Sequence, residues 1–172
     1  MFHVEPKLKT LVIKRIGVVL FLYFFVLSCI GARQTIQITD YILLPNGIEI
    51  LGQKKLNAFI FENNEKNLPI EKFLSEKFKS TNYLEKEFWI TIDKSKYKII
   101  LYDYDEFEKY FNSANFVVSN QEPENSKNGN QRKFIAFSMI NSYNEDCLQE
   151  QSLFQNIAVN YLKKLKDEYY NR

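Results

Sequence analysis

The chain has 172 residues, 26 % of them charged and 45 % hydrophobic, with a formal charge of +2. One histidine and two cysteines exclude a disulfide framework and leave no imidazole cluster for metal or triad chemistry. The near-neutral balance gives no support for nucleic-acid binding, which needs a clustered basic face.

The first element is an export signal. Lys7, Lys9, Lys14 and Arg15 precede an uncharged run from Ile16 to Ser28, which closes on Cys29. A membrane-spanning helix needs about 20 apolar residues, and Ile16 to Ile30 supplies 15. A secretory signal has a basic region, here Lys14-Arg15, an apolar region of about 7–15 residues and a small residue before the cut, here Ser28. Val26-Leu27-Ser28-Cys29 resembles a bacterial lipobox, with Leu27 where a smaller residue is usual. The resemblance implies that Cys29 is acylated on sulfur and becomes the N-terminus after residues 1–28 are removed. The mature chain would then be held by lipid to a membrane, facing the periplasm or the exterior. The competing readings are an uncleaved signal anchor, oriented by Lys14-Arg15 through the positive-inside rule, and an ordinary buried helix.

The positive charge belongs to this segment. Removing its four basic residues and one acid leaves 19 Lys+Arg against 20 Asp+Glu, a charge of −1. His3 leaves with it, so the mature chain has no histidine as general base or ligand. Acylation of Cys29 would leave Cys147 without an intramolecular partner; a Cys29–Cys147 disulfide is the alternative. The Lys, Asn, Ile and Phe bias resembles proteins of AT-rich bacteria such as flavobacteria.

Residues 29–52 read as a tether or N-terminal hairpin, with alternation at Ile36 and Ile38 and a turn at Pro45-Asn46-Gly47. The remainder, 53–172, reads as a single domain. Leu56 to Phe61 is an interior strand. Pro69 opens a helix in which Ile70, Phe73, Leu74 and Phe78 share one face. Phe88, Ile90 and Ile92, then Tyr97, Ile99 and Leu101, alternate on either side of Asp93-Lys94-Ser95-Lys96, which predicts an antiparallel hairpin. Asp103 and Glu106 have capping-box spacing ahead of Phe107, Tyr110 and Phe111, and an EF-hand would need more ligands and a glycine. Residues 115–119 form a strand, 120–132 a polar loop, and Phe134 to Ile140 the last strand. Asp146 and Gln149 then cap a final helix whose stripe runs through Phe154, Ile157, Ala158, Tyr161, Leu162, Leu165 and Tyr169, opposed by Lys163, Lys164 and Lys166. Cys147 falls in its first turn and reads as a buried structural thiol.

The order from Leu56 is β-α-β-β-α-β-β-α. It predicts an α+β fold with a mainly antiparallel or mixed sheet and about three helices on one face, with a ferredoxin-like arrangement of the first six elements among the options. No metal, cofactor or catalytic motif is visible. The sequence points to a membrane-anchored interaction module that works through a sheet face or the 120–132 loop on a protein partner. The alternatives are a periplasmic inhibitor or immunity-type protein, and a carboxylate-dependent hydrolase using acids among Glu87, Asp103, Asp105 and Glu106.

Overall fold

The computed structural model describes residues 35–50, 52, 54–64, 68–117 and 132–172, and Thr35–Arg172 form one compact unit. Lys14, Arg15, Cys29 and the 120–132 loop up to residue 131 lie outside the described residues. The strands are β1 Ile36–Gln37, β2 Ile42–Leu44, β3 Ala58–Glu62, β4 Glu87–Ile92, β5 Ser95–Leu101, β6 Phe116–Val117 and β7 Phe134–Asn141. The helices are α1 Ile70–Phe78, α2 Tyr104–Phe111 and α3 Gln155–Tyr170, with a short 3-10 turn at Ser113–Asn115.

Five strands form one sheet in the order β2-β3-β7-β5-β4, each antiparallel to its neighbour, while β1 and β6 make a small parallel pair. The fold is α+β. The ferredoxin-like order is not the one realised. A split βαβ unit sets two parallel strands around one intervening strand. Here β7 and β5 both lie between β3 and β4, and the antiparallel pairings make β3 and β4 run in opposite directions.

Period-2 alternation divides the apolar side chains between two faces. Phe59 and Phe61, Ile135, Phe137 and Met139, Tyr97, Ile99 and Leu101, and Phe88 and Ile90 point one way, beneath α1 and α3. Ala58 and Ile60, with Phe134 and Ala136, point the other way and meet Phe107 and Phe111 of α2 together with Phe116 and Ile38. The helices therefore sit on both faces, not on one. The sheet's central strands are apolar on both sides, which is why β7 is buried along its whole length. Each fully buried phenylalanine contributes about 1.5–3 kcal/mol.

Residues 35–50 are built into the body. Ile38 is buried in the second core, Tyr41 stacks on Phe59 at 4.5 Å, and Asp40 pairs with Lys166 and Lys163 of α3. Lys166, assigned to the solvent side of the helix by its periodicity, is 5 % exposed. The Asp40 carboxylate and the Tyr170 ring, 5.6 Å from its ammonium, explain how the charge is tolerated there.

The final helix starts later than its spacing suggests. Its N-cap is Phe154, with no side-chain cap. Asp146 accepts from the amides of Asn57 and Leu148, both at 2.8 Å, so its carboxylate closes a turn and holds β3's approach instead of capping a helix. The Cys147 amide donates to the Met139 carbonyl at 2.9 Å, folding the chain back along β7. Cys147 is thus fully buried outside the helix.

Candidate functional site

The acids singled out in the sequence do not converge. Asp103 and Glu106 form the reciprocal capping box of α2, with the Glu106 amide donating to Asp103 at 2.7 Å and the Asp103 amide to Glu106 at 2.9 Å. Lys86 pairs with Asp103 and lies 3.4 Å from Glu106. Burial pushes the Asp103 carboxyl up, but Lys86 and the Glu106 amide outweigh it and hold the pKa below its usual value. Asp105 is exposed. Glu87 stands on the hairpin, 2.8 Å from Lys98. A glycosidase-type pair needs two carboxyls across a cleft, one of them with a raised pKa, and these four serve a helix end and a strand surface.

Cys147 and Tyr102 are structural groups too. Burial pushes the Cys147 thiol up to about 12, the opposite of what a nucleophilic thiolate needs. Burial also pushes the Tyr102 phenol up to about 12. That hydroxyl accepts from the Ile48 amide at 2.9 Å and shares a 2.7 Å hydrogen bond with Ser138, which donates to the Asn57 carbonyl at 2.6 Å. Gly47 lies against the same hydroxyl, close enough that a Cβ would overlap it. This polar set ties Ile48 and Asn57 to the sheet. Arg132, at the end of the polar stretch, pairs with Glu71 at 2.9 Å. Among the described residues no group of three or more His, Cys, Asp or Glu could hold a metal ion, and no helix is long and apolar enough to cross a membrane.

Two surface features remain. An open groove of about 400 Å³ lies between α1 and α3, lined by Phe73, Lys77, Lys164, Asp167, Glu168 and neighbouring residues. Lys77 pairs there with Glu168, and Arg172 with Glu76 while covering the Phe73 ring.

The other is the outer half of the sheet. α2 and the β1–β6 pair cover β3 and β7 on the second face, but β4 carries Glu87, Trp89 and Thr91 there, all exposed. Trp89, the chain's only tryptophan, is 55 % exposed. The Lys98 ammonium lies 5.0 Å from its ring centroid and also binds Glu87. Thr91 faces Lys96 across the hairpin. The alternation of Phe88, Ile90 and Ile92 puts Trp89 and Thr91 on the other side of the strand, but the sequence reading did not single out Trp89 as a site. The signal was present: a large aromatic at a polar position in the alternation Phe88-Trp89-Ile90-Thr91.

The fold and this surface define an α+β protein whose sheet, among the described residues, ends at β4 with Trp89 exposed. Comparison with protein-family models, curated proteins and solved structures finds no match.

Proposed function

We propose that the chain is an extracytoplasmic lipoprotein, acylated at Cys29, whose α+β body is a small interaction module working on a protein partner through the surface around Trp89. The reading of the anchor rests on the lipobox-like Val26-Leu27-Ser28-Cys29 behind a basic and apolar lead. The single observation that carries the reading of the body is the exposed Trp89. An indole held on a rigid strand offers a large contact area at little entropic cost, and tryptophan is enriched at binding hot spots. Its neighbours Glu87, Thr91, Lys96 and Lys98 supply a polar rim.

Each half has its own test. Full-length chain expressed in bacteria with a labelled fatty acid should carry the label and lose residues 1–28. Cys29→Ala should carry none; equal labelling of both would remove the anchor from the proposal. For the surface, a photo-crosslinking residue at position 91 should give a discrete protein adduct in intact cells. Should position 91 give no more adduct than the same residue at Leu153, which is 93 % exposed and on another part of the body, the surface is not used for binding.

A further inference from the structure

Resting on the reading of Cys29 as a lipid anchor, we infer that the body lies end-on against the bilayer that holds the anchor, with Tyr83 and Leu84 set among the lipid headgroups. Leu68, Tyr83, Leu84 and Tyr104 are all exposed, Tyr83 by 62 % and Leu84 by 82 %. The four belong to segments at the end of the sheet where β7 begins. Tyr83 and Leu84 lead into β4, and the Leu101 amide at the close of β5 donates to the Lys86 carbonyl at 2.7 Å. Tyr104 opens α2, whose Asp103 cap pairs with Lys86. Leu68 precedes α1, whose Glu71 pairs with Arg132, two residues before β7. A lone exposed leucine is ordinary on a protein surface. Here the turn holds a leucine and a tyrosine out together: the Leu84 amide donates to the Asn82 side chain at 2.9 Å, and the Glu85 amide to the Asn82 carbonyl at 3.2 Å. Tyrosine is enriched at membrane–water interfaces, where its ring meets the apolar side and its hydroxyl stays wet. The leucine beside it gains by leaving water.

The length of the tether selects this end. Ile36 of β1 pairs with Phe116, and the Phe116 ring packs 5.1 Å from Phe134, the first residue of β7. The chain therefore enters the body at the end that carries Tyr83 and Leu84. Seven peptide steps join Cys29 to Ile36, and in any conformation they reach at most about 25 Å. β7 has eight residues, a length of about 27 Å. Exposed Tyr143 and Leu153 lie at its far end, where Phe154 packs on Tyr97 opposite Asn141. They could meet the bilayer only with the tether fully drawn out, whereas Tyr83 and Leu84 need no such extension. Lys86 pairs with Asp103 and lies 3.4 Å from Glu106, so the contact rests on apolar side chains and should persist in salt. Trp89, level with Ile140 toward the far end of β7, stays clear of the bilayer and open to a protein partner.

The test uses the full-length chain, purified from membranes and reconstituted in vesicles of phosphatidylethanolamine and phosphatidylglycerol that contain a headgroup-level nitroxide lipid. Leu84→Cys and Leu153→Cys each carry the same thiol-linked fluorophore, with wild type, whose Cys147 is buried, as the blank. Quenching at position 84 should exceed that at position 153 at least twofold in low and in high salt, and Tyr83→Asp added to Leu84→Cys should reduce it. Equal quenching at the two positions overturns the docking. Fatty-acid labelling of the same preparations separates this failure from failure of the anchor. Label with equal quenching leaves the anchor and removes the docking. Unequal quenching without label removes the anchor and upholds the docked end, and equal quenching without label removes both.

Discussion

Gly47 shows how one residue without a side chain settles a connection. Asn46 before it takes φ 75°, as the Pro-Asn-Gly turn predicts. The need for glycine at 47 is different. Its amide donates to the Leu56 carbonyl at 2.8 Å, and a Cβ would come within 2.8 Å of that oxygen while overlapping the Tyr102 hydroxyl. Neither neighbour can give way, since Tyr102 is tied to Ser138 and to the Ile48 amide. Gly47→Ala should therefore destabilise the protein by about 1–3 kcal/mol, the usual cost of forcing an atom into a packed interior, read from urea denaturation. An unchanged midpoint would show that the 45–57 connection is looser than this contact implies. The turn was legible in the sequence. The tyrosine that makes glycine obligatory was not, because it lies more than fifty residues away.

At the scale of elements, the helix α2 behaves as a sequence-local unit. Asp103→Ala removes a cap and should cost about 0.5–2 kcal/mol, whereas Asp105→Ala, on the exposed side, should fall within about 0.5 kcal/mol of wild type. Equal effects in thermal or urea unfolding would contradict the capping assignment. Because the Asp103 pKa is lowered in the fold, its contribution is present above the unfolded value and is lost as pH falls through the lowered one. Asp103→Asn should flatten that acid limb. The strap formed by β1, β2 and Asp40 depends instead on a distant helix. Lys166 is buried against Asp40, while Lys163 reaches the same carboxylate from solvent at 3.2 Å. Asp40→Ala leaves the buried ammonium with Asp167 alone, 3.5 Å away, and should cost about 1–3 kcal/mol. Lys163→Ala removes a solvent-screened pair and should lower the unfolding midpoint far less than Asp40→Ala. Similar losses from the two variants would mean that Lys166 does not need Asp40.

For the molecule as a whole, the aromatic wealth of the core makes stability fall at alkaline pH. Burial raises the phenols of Tyr102, Tyr169 and Tyr170 and the thiol of Cys147, each to about 12. The unfolded chain releases these protons near pH 9 for the thiol and 10 for the phenols, where the folded chain still holds them. The unfolded state then binds fewer protons, so stability drops as pH rises from about 9 toward 12. Urea midpoints measured across that range should decline, and Tyr102→Phe should lessen the decline; a flat profile would show that these groups ionise without unfolding. By itself the sequence determined the α+β class, the β4–β5 hairpin, the α1 face and the α2 cap, since each depends on residues a few positions apart. The tight turn between β4 and β5 even places Asp93 and Lys94 at positive φ, the geometry that matches strand twist. Tertiary structure decided the rest. Asp146 had the spacing of a helix cap, but Asn57 of the preceding strand segment claims its carboxylate. Lys166 had the spacing of a surface residue, but Asp40 covers it. The strand order placed β7 between β3 and β5 and left β4 at the edge. Local periodicity carries no information about which strand will lie beside which, because that choice is made by burial of both sheet faces at once.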